Sequence, residues 1–262
     1  MTTDITVVHS IDVGEVPPTP IDISYQLPAS HKSIKALKYI INSYGHLIGY
    51  SQEQNGNLIH NIVPLPQQAL NQISSSSETV LALHTELAFH PYKPDYVFLM
   101  CLREDLSALT TYAVLSEILT NLSEETKSVL HQQWFTTTID LSFILNGAID
   151  KTIPTTILTT TDEGTTFTYD EALIKPTNEL ADAALKELKN AINKSIRYVA
   201  LETGDLLILN NKTVVHGRNP FKPKYDGTDR WLQRALVIKE RPPSMFMQDS
   251  VCTYTFEDDN GQ

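Results

Sequence analysis

GDLLILNNKTVVHGRNPFKPKYDGTDRWLQRALVIK, residues 204–239, contains three strand-length apolar runs separated by turn residues. GDLLILNN, KTVVHGR and RWLQRALVIK each carry large or β-branched apolar side chains, and Asp226-Gly227 supplies turn chemistry before the third. His216 follows an apolar strand and precedes a Gly-Arg turn. If RWLQRAL is a strand, Arg230, Leu232 and Arg234 share one face, with the two arginines roughly 13 Å apart from the rise per residue.

Further strands are predicted around this block. Tyr96 to Leu102 (YVFLMCL) is a continuous apolar run that suits a strand covered on both faces. ETVLALHTE alternates, with Val80, Ala82, His84 and Glu86 on one side. FTTTIDLSFIL and TIPTTILTTTDEGTTFTYD are crowded with β-branched Thr and Ile, which favours strands and turns. Three helical regions are expected. One carries Ile34, Leu37, Ile40, Ile41 and Tyr44, with Ser30 as its cap and Gly45 as its stop; another spans 114–133, with Ser123 as a cap. The third runs over 179–195, with Leu180, Ala183, Ala184, Leu185, Leu188 and Ile192 as its apolar stripe. Residues 1–30 read as an arm or edge strand, and 46–78 as polar, irregular loops over a site. With no repeat and no dividing linker, residues 1–262 read as a single mainly β domain, a barrel or jelly roll with inserted helices.

Composition narrows the function classes. The chain has 262 residues, 41% hydrophobic and 19% charged, ordinary values for a globular protein with a real core. A net charge of -11 argues against a nucleic-acid surface and favours a small-molecule partner. Cys101 and Cys252 do not make a disulfide framework, and no basic start with a long apolar core or membrane-length run appears, so a cytoplasmic protein without membrane attachment is expected. The sequons at Asn121, Asn193 and Asn211 then read as chance matches. Oligomeric state is left open.

In LHTELAFHPYKPDY, residues 83–96, His84 and Glu86 would project together from a strand. Joined by a second histidine, they make a 2-His-1-carboxylate triad, which leaves open coordination positions on Fe(II). The short motif alone is weak, since half-buried strands often carry paired polar groups. His216, Arg230 and Arg234 shift the balance, because arginines facing a barrel interior require anions. A Zn or Mn jelly-roll enzyme and a non-catalytic amino-acid-binding jelly roll remain alternatives. His90 reads as scaffold or as a hydrogen-bonding support. His9, His31, His46, His60 and His131 read as surface or capping residues.

LHTELAFHPYKPDYVFLMCLR and GDLLILNNKTVVHGRNPFKPKYDGTDRWLQRALV together resemble the clavaminate synthase-like branch of the Fe(II)/2-oxoglutarate dioxygenases, which includes L-asparagine oxygenase and the viomycin-pathway arginine 3-hydroxylase. The strong similarity covers about residues 47–103 and 167–240. The resemblance implies a double-stranded β-helix in which His84, Glu86 and His216 hold Fe(II). It implies that Arg230 grips the distal carboxylate of 2-oxoglutarate, helped by Thr111, with Thr110 nearly as good a choice. Arg234 takes the substrate α-carboxylate and Glu53 its ammonium group, with Gln52 and Gln54 as alternatives, and Asp170 contacts substrate from a lid. Thr168 stands where the arginine hydroxylase has another Asp, which argues against the same guanidinium clamp. The implied reaction is hydroxylation by O2 of an unactivated C–H near Cβ of an amino acid or small derivative, in specialised metabolism. Desaturation, cyclisation, or a dipeptide or carrier-bound substrate are the alternatives on the same iron chemistry. Glu86 speaks against halogenation, because related halogenases have a small residue there.

Overall fold

In the computed structural model, which describes residues 3–256, the strand Tyr96–Arg103 separates two apolar cores. Val97, Leu99 and Cys101 enter one core, while Tyr96, Phe98, Met100 and Leu102 enter the other, as alternation along a doubly covered strand requires. Its sheet runs Ile5–Val8, Leu206–Asn210, Tyr96–Arg103, Trp231–Ile238, His46–Tyr50, Val251–Cys252 and Met247–Gln248, and Ile59–Ile62 also pairs with Trp231–Ile238. A four-stranded sheet of Arg197–Val199, Thr110–Val114, Val214–Arg218 and Leu81–His84 packs against it. The N-terminal segment contributes the edge strand Ile5–Val8. Two facing, almost wholly antiparallel sheets with helices outside form a double-stranded β-helix.

Alternation assigns the interior. Val214 faces the core between the sheets, whereas Val215 faces the helical core outside. By the same parity Tyr112 and Val114 point inward and Ala113 outward. Helix Glu179–Lys194 covers the outer face of the small sheet and helix Lys32–Ile41 that of the large one.

Several expectations change at close range. The segment 46–78, read as irregular, contains two strands of the large sheet, His46–Tyr50 and Ile59–Ile62. Polar His60 and Asn61 disguise the second, yet both are buried. Asn61 accepts from Trp231 Nε1 at 2.9 Å and donates to the Tyr25 carbonyl, which makes its burial tolerable. His31 rather than Ser30 caps the first helix, accepting from the Ser33 amide. Ser123 caps Glu124–Leu130 as expected, after a separate short helix Leu115–Thr120. The long helix buries Ala181, Ala184, Leu185, Leu188, Ala191 and Ile192, leaving Leu180 and Ala183 exposed. The Asn178 side chain caps this helix, accepting from the Ala181 amide at 2.8 Å.

His90 lies in a box of aromatic rings, among them Tyr50 at 4.9 Å and Tyr254 at 5.5 Å between centroids. Its Nδ1 accepts from the Tyr92 amide at 3.0 Å, and burial depresses its pKa to about 3. It is scaffold, apart from the His84–Glu86–His216 cluster.

Two stability outcomes follow. Leu188→Ala should cost about 2–5 kcal/mol by urea denaturation, against less than about 0.5 kcal/mol for Leu180→Ala. His90 binds no proton in the folded state until about pH 3, whereas the unfolded chain protonates near its ordinary value of 6.5. Stability should therefore fall as pH drops below about 6.5, and His90→Gln should flatten that acid limb by up to about 1.4 kcal/mol per pH unit.

Candidate active site

The strands carrying the two histidines are neighbours, and His84 and His216 stand directly opposite one another, ring centroids 4.5 Å apart. His216 sits inside Val214–Arg218 rather than after a strand, so Gly217-Arg218 is strand and not turn. Gly217 is required there, because a Cβ would lie 2.4 Å from the Leu81 carbonyl oxygen. The strand before Glu86 ends at His84, so the two side chains do not project from one regular strand. Thr85 turns away to the Tyr169 backbone, and Glu86 begins a turn in which Leu87 adopts φ 53°.

Asn211 holds that turn. The Glu86 amide donates to Asn211 Oδ1 at 2.6 Å, while Asn211 Nδ2 donates to the carbonyls of Glu86 and Pro94 at 3.0 and 2.9 Å. This buried asparagine is one of the residues that matched a sequon, and sequence reasoning missed its role. No local pattern marks it, because its partners are far away in the chain.

Candidate ligand atoms of His84, Glu86 and His216 all lie within 4.8 Å of one another. His84 Nδ1 donates to the Ala82 carbonyl at 2.8 Å, leaving Nε2 as the ring nitrogen that could meet a metal. Glu86 Oε2 is 3.6 Å from His216 Nε2. Burial favours the neutral carboxyl of Glu86, but Arg234 and the two histidines outweigh it and hold the pKa below the usual carboxylate range. Burial, with His84 adding to it, lowers the His216 pKa and keeps that ring neutral. A carboxylate oxygen and two imidazole nitrogens fit Fe(II).

Beside this cluster, a narrow cavity is lined by Thr110, Arg218, Arg230 and Leu232. Arg230 precedes its strand, shares the cavity with Leu232 and Arg234, and has no carboxylate partner among the described residues. Burial lowers its pKa to about 10, so it stays charged at neutral pH. The threonine beside it is Thr110, whose hydroxyl is 3.4 Å from the guanidinium. Thr111 falls on the outward parity of its strand and packs near Gly217, so it is not the threonine beside Arg230.

A second cavity of about 290 Å³ also borders the cluster and is lined by Glu53, Asp140, Asp170 and Arg234 among others. Arg234 donates to Glu86 Oε1 at 2.7 Å, to Glu53, and to His60 Nδ1 at 2.7 Å, and its Nε has no partner. His60, expected at the surface, is 2% exposed and pairs directly across from Arg234. Its Nε2 donates to the Asn57 carbonyl, which presents Nδ1 as an acceptor. Of the three candidates in the upstream loop, Glu53 reaches Arg234 and keeps a buried Oε2 without a partner, Gln54 also lines the cavity, and Gln52 instead bonds the Tyr254 carbonyl. Asp170 lies in a β-bridge with His84, its Oδ1 accepting from the amides of Ala172 and Leu173.

Known proteins resemble this chain in sequence and in fold. The family model described as "Taurine catabolism dioxygenase TauD, TfdA family" matches residues 26–236. The chain is 35% identical over 242 residues to L-asparagine oxygenase of Streptomyces coelicolor, covering 91% of this chain and 71% of that protein. It is 30% identical over 242 residues to L-lysine 3-hydroxylase of Catenulispora acidiphila, covering 91% and 68%. A solved asparagine oxygenase in complex with Fe(II), 2S,3S-3-hydroxyasparagine and succinate superposes with TM-score 0.88 at 30% identity, covering 96% of this chain and 80% of that one. The non-heme iron oxygenase OrfP in complex with Fe and alpha-ketoglutaric acid superposes with TM-score 0.83 at 28% identity, covering 95% and 79%. The chain belongs to the TauD/TfdA dioxygenase family, within its clavaminate synthase-like branch, and is an Fe(II)/2-oxoglutarate-dependent dioxygenase.

Proposed function

We propose that this dioxygenase hydroxylates an unactivated C–H bond, near Cβ, of a free α-amino acid in specialised metabolism. The observation that carries the reading is the pair of cavities that border one candidate metal cluster: Arg230 lines the narrow one, Glu53 the larger one, and Arg234 lies in the wall of both. His84, Glu86 and His216 would hold Fe(II), which with 2-oxoglutarate supplies the oxidising chemistry. Arg230 grips the distal carboxylate of 2-oxoglutarate in the narrow cavity, with the Thr110 hydroxyl as a second contact.

Arg234 receives the substrate α-carboxylate, for which its unpartnered Nε is a free donor. Glu53 Oε2, buried and unpartnered, accepts from the substrate ammonium. Opposite charges a fixed distance apart suit the zwitterionic head of an amino acid and place its Cβ toward the metal. Asp170, beside His84, contacts the remainder of the substrate. Both cysteines are buried and free, which supports residence in the reducing cytoplasm.

The test is oxygen-free reconstitution with Fe(II) and 2-oxoglutarate, followed by O2 and a panel of amino acids and dipeptides. Succinate and a product heavier by one oxygen atom are expected from a free amino acid. No coupled turnover with any α-amino acid would overturn the substrate assignment, and full hydroxylation by Glu86→Ala would overturn the metal assignment. Thr110→Val should raise the KM for 2-oxoglutarate about tenfold, while Thr111→Val leaves it near the parent value. Asn211→Ala should weaken Fe(II) binding about 10–100-fold, read by metal titration, because the Glu86 turn loses its backbone partners.

A further inference from the structure

The segment 69–80 has no helix or strand of its own, yet it supplies part of the wall of both cavities. Ser74 lies in both walls, and Ile73 and Ser75 in that of the larger cavity. Ser76 and Ser77, fully buried, bring no apolar side chain to hold this stretch in the core. A segment without ladder or apolar anchor keeps its place through polar tethers.

Arg218 tethers it at two points. It stands two residues after His216 on the same strand and is 4% exposed. Its Nη1 donates to the Ser76 carbonyl, and its Nη2 donates to Ser76 Oγ at 3.1 Å and to the Thr79 carbonyl at 3.2 Å. Its Nε donates to the Asn219 carbonyl at 3.1 Å. The guanidinium carbon lies 5.0 Å from the centroid of the Phe221 ring, and the Phe221 amide donates to the Ser77 carbonyl at 2.8 Å. Four of the five N–H groups are therefore used, each on a neutral acceptor.

None of these contacts answers the charge. Arg218 shares the narrow cavity with Arg230, and after burial itself the charge that acts on it is that of Arg230, a repulsion. Two like charges beside one cavity out of water weaken the arrangement that holds both. A dianion gripped there by Arg230 reverses the sign of that interaction for each guanidinium.

We propose that Arg218 is a positioning residue that transmits occupancy of the narrow cavity to the segment 73–80: 2-oxoglutarate bound there firms this segment, and with it the wall of the larger cavity. The inference rests on the assignment of 2-oxoglutarate to the Arg230 cavity and adds the route by which its binding prepares the place of the second molecule. Linkage makes the effect reciprocal, so a firmer segment also strengthens 2-oxoglutarate binding.

The test is hydrogen exchange on the Fe(II)-loaded protein without oxygen, with and without 2-oxoglutarate, alongside calorimetric titration of 2-oxoglutarate. The Ser77 and Glu78 amides, which donate to the Ala69 carbonyl at 3.1 and 2.9 Å, report on the segment. In the parent protein 2-oxoglutarate is expected to slow their exchange at least about fivefold. Arg218→Lys keeps a charge beside the cavity but cannot hold Ser76 and Thr79 together. It is expected to bind 2-oxoglutarate within about threefold of the parent and to lose the protection, whereas Arg218→Gln loses both. A tether with no coupling role would raise exchange in Arg218→Lys equally with and without 2-oxoglutarate and leave the parent indifferent to it. Ser76→Ala, which deletes one contact and keeps the backbone acceptors, should reduce the protection about twofold and serves where the arginine variants do not fold. Unchanged exchange in a parent protein that binds 2-oxoglutarate, or full protection in Arg218→Lys, would overturn the inference. If the Fe(II)-loaded parent does not bind 2-oxoglutarate at all, the failure lies in the reading beneath it.

Discussion

A guanidinium buried between two β-sheets has to be answered by anions, and Arg234 is answered by two carboxylates at once. Glu86 and Glu53 come from distant parts of the chain, yet each is placed where Arg234 can reach it. Removing any one of the three would leave charge in the core, which is far costlier than the pairing is worth. Strand partners and loops around the network follow from this need. His60 enters the large sheet as a polar residue because Arg234 donates to it, and Asn57 fixes its tautomer.

The same pairing links the metal cluster to the cavity beside it. Glu86 offers one oxygen to Arg234 and the other toward His216, so a single carboxylate belongs to two sites. Its charge is held by its surroundings well before any metal is bound. Asn211 completes the arrangement from the backbone side, clamping the turn at Glu86 from both amide and carbonyl. Rigid support of this kind keeps ligand positions set by protein packing rather than by the bound ion.

The distribution of charge separates two tasks. Arg230 stands in a narrow cavity with no carboxylate partner, suited to an anion. The larger cavity is rich in carboxylates, suited to an amine-bearing molecule. Both cavities include His84 and Glu86 in their walls, so two small molecules of different charge character can meet at one candidate metal cluster.

Sequence alone determined the strand-rich character of 204–239, the doubly covered strand at Tyr96 and the Ser123 cap, because periodicity and side-chain type are local properties; the set His84, Glu86 and His216 rested on the family resemblance. Local properties could not identify the strand at Ile59–Ile62, where buried polar residues look like loop until their partners are known. They also could not tell which of Thr110 and Thr111 stands beside Arg230, or which of Ala181 and Leu180 is buried: strand parity and helix rotation are set by what lies across the interface. His84 and Glu86 were legible as a pair, but a turn clamped by Asn211 brings them together, not one regular strand. Asp140 and Asn211 acquire meaning only through contacts more than a hundred residues away or through a shared cavity wall. Tertiary structure settled these points because hydrogen bonds and charge balance are closed between distant segments, and a linear pattern carries no record of that closure.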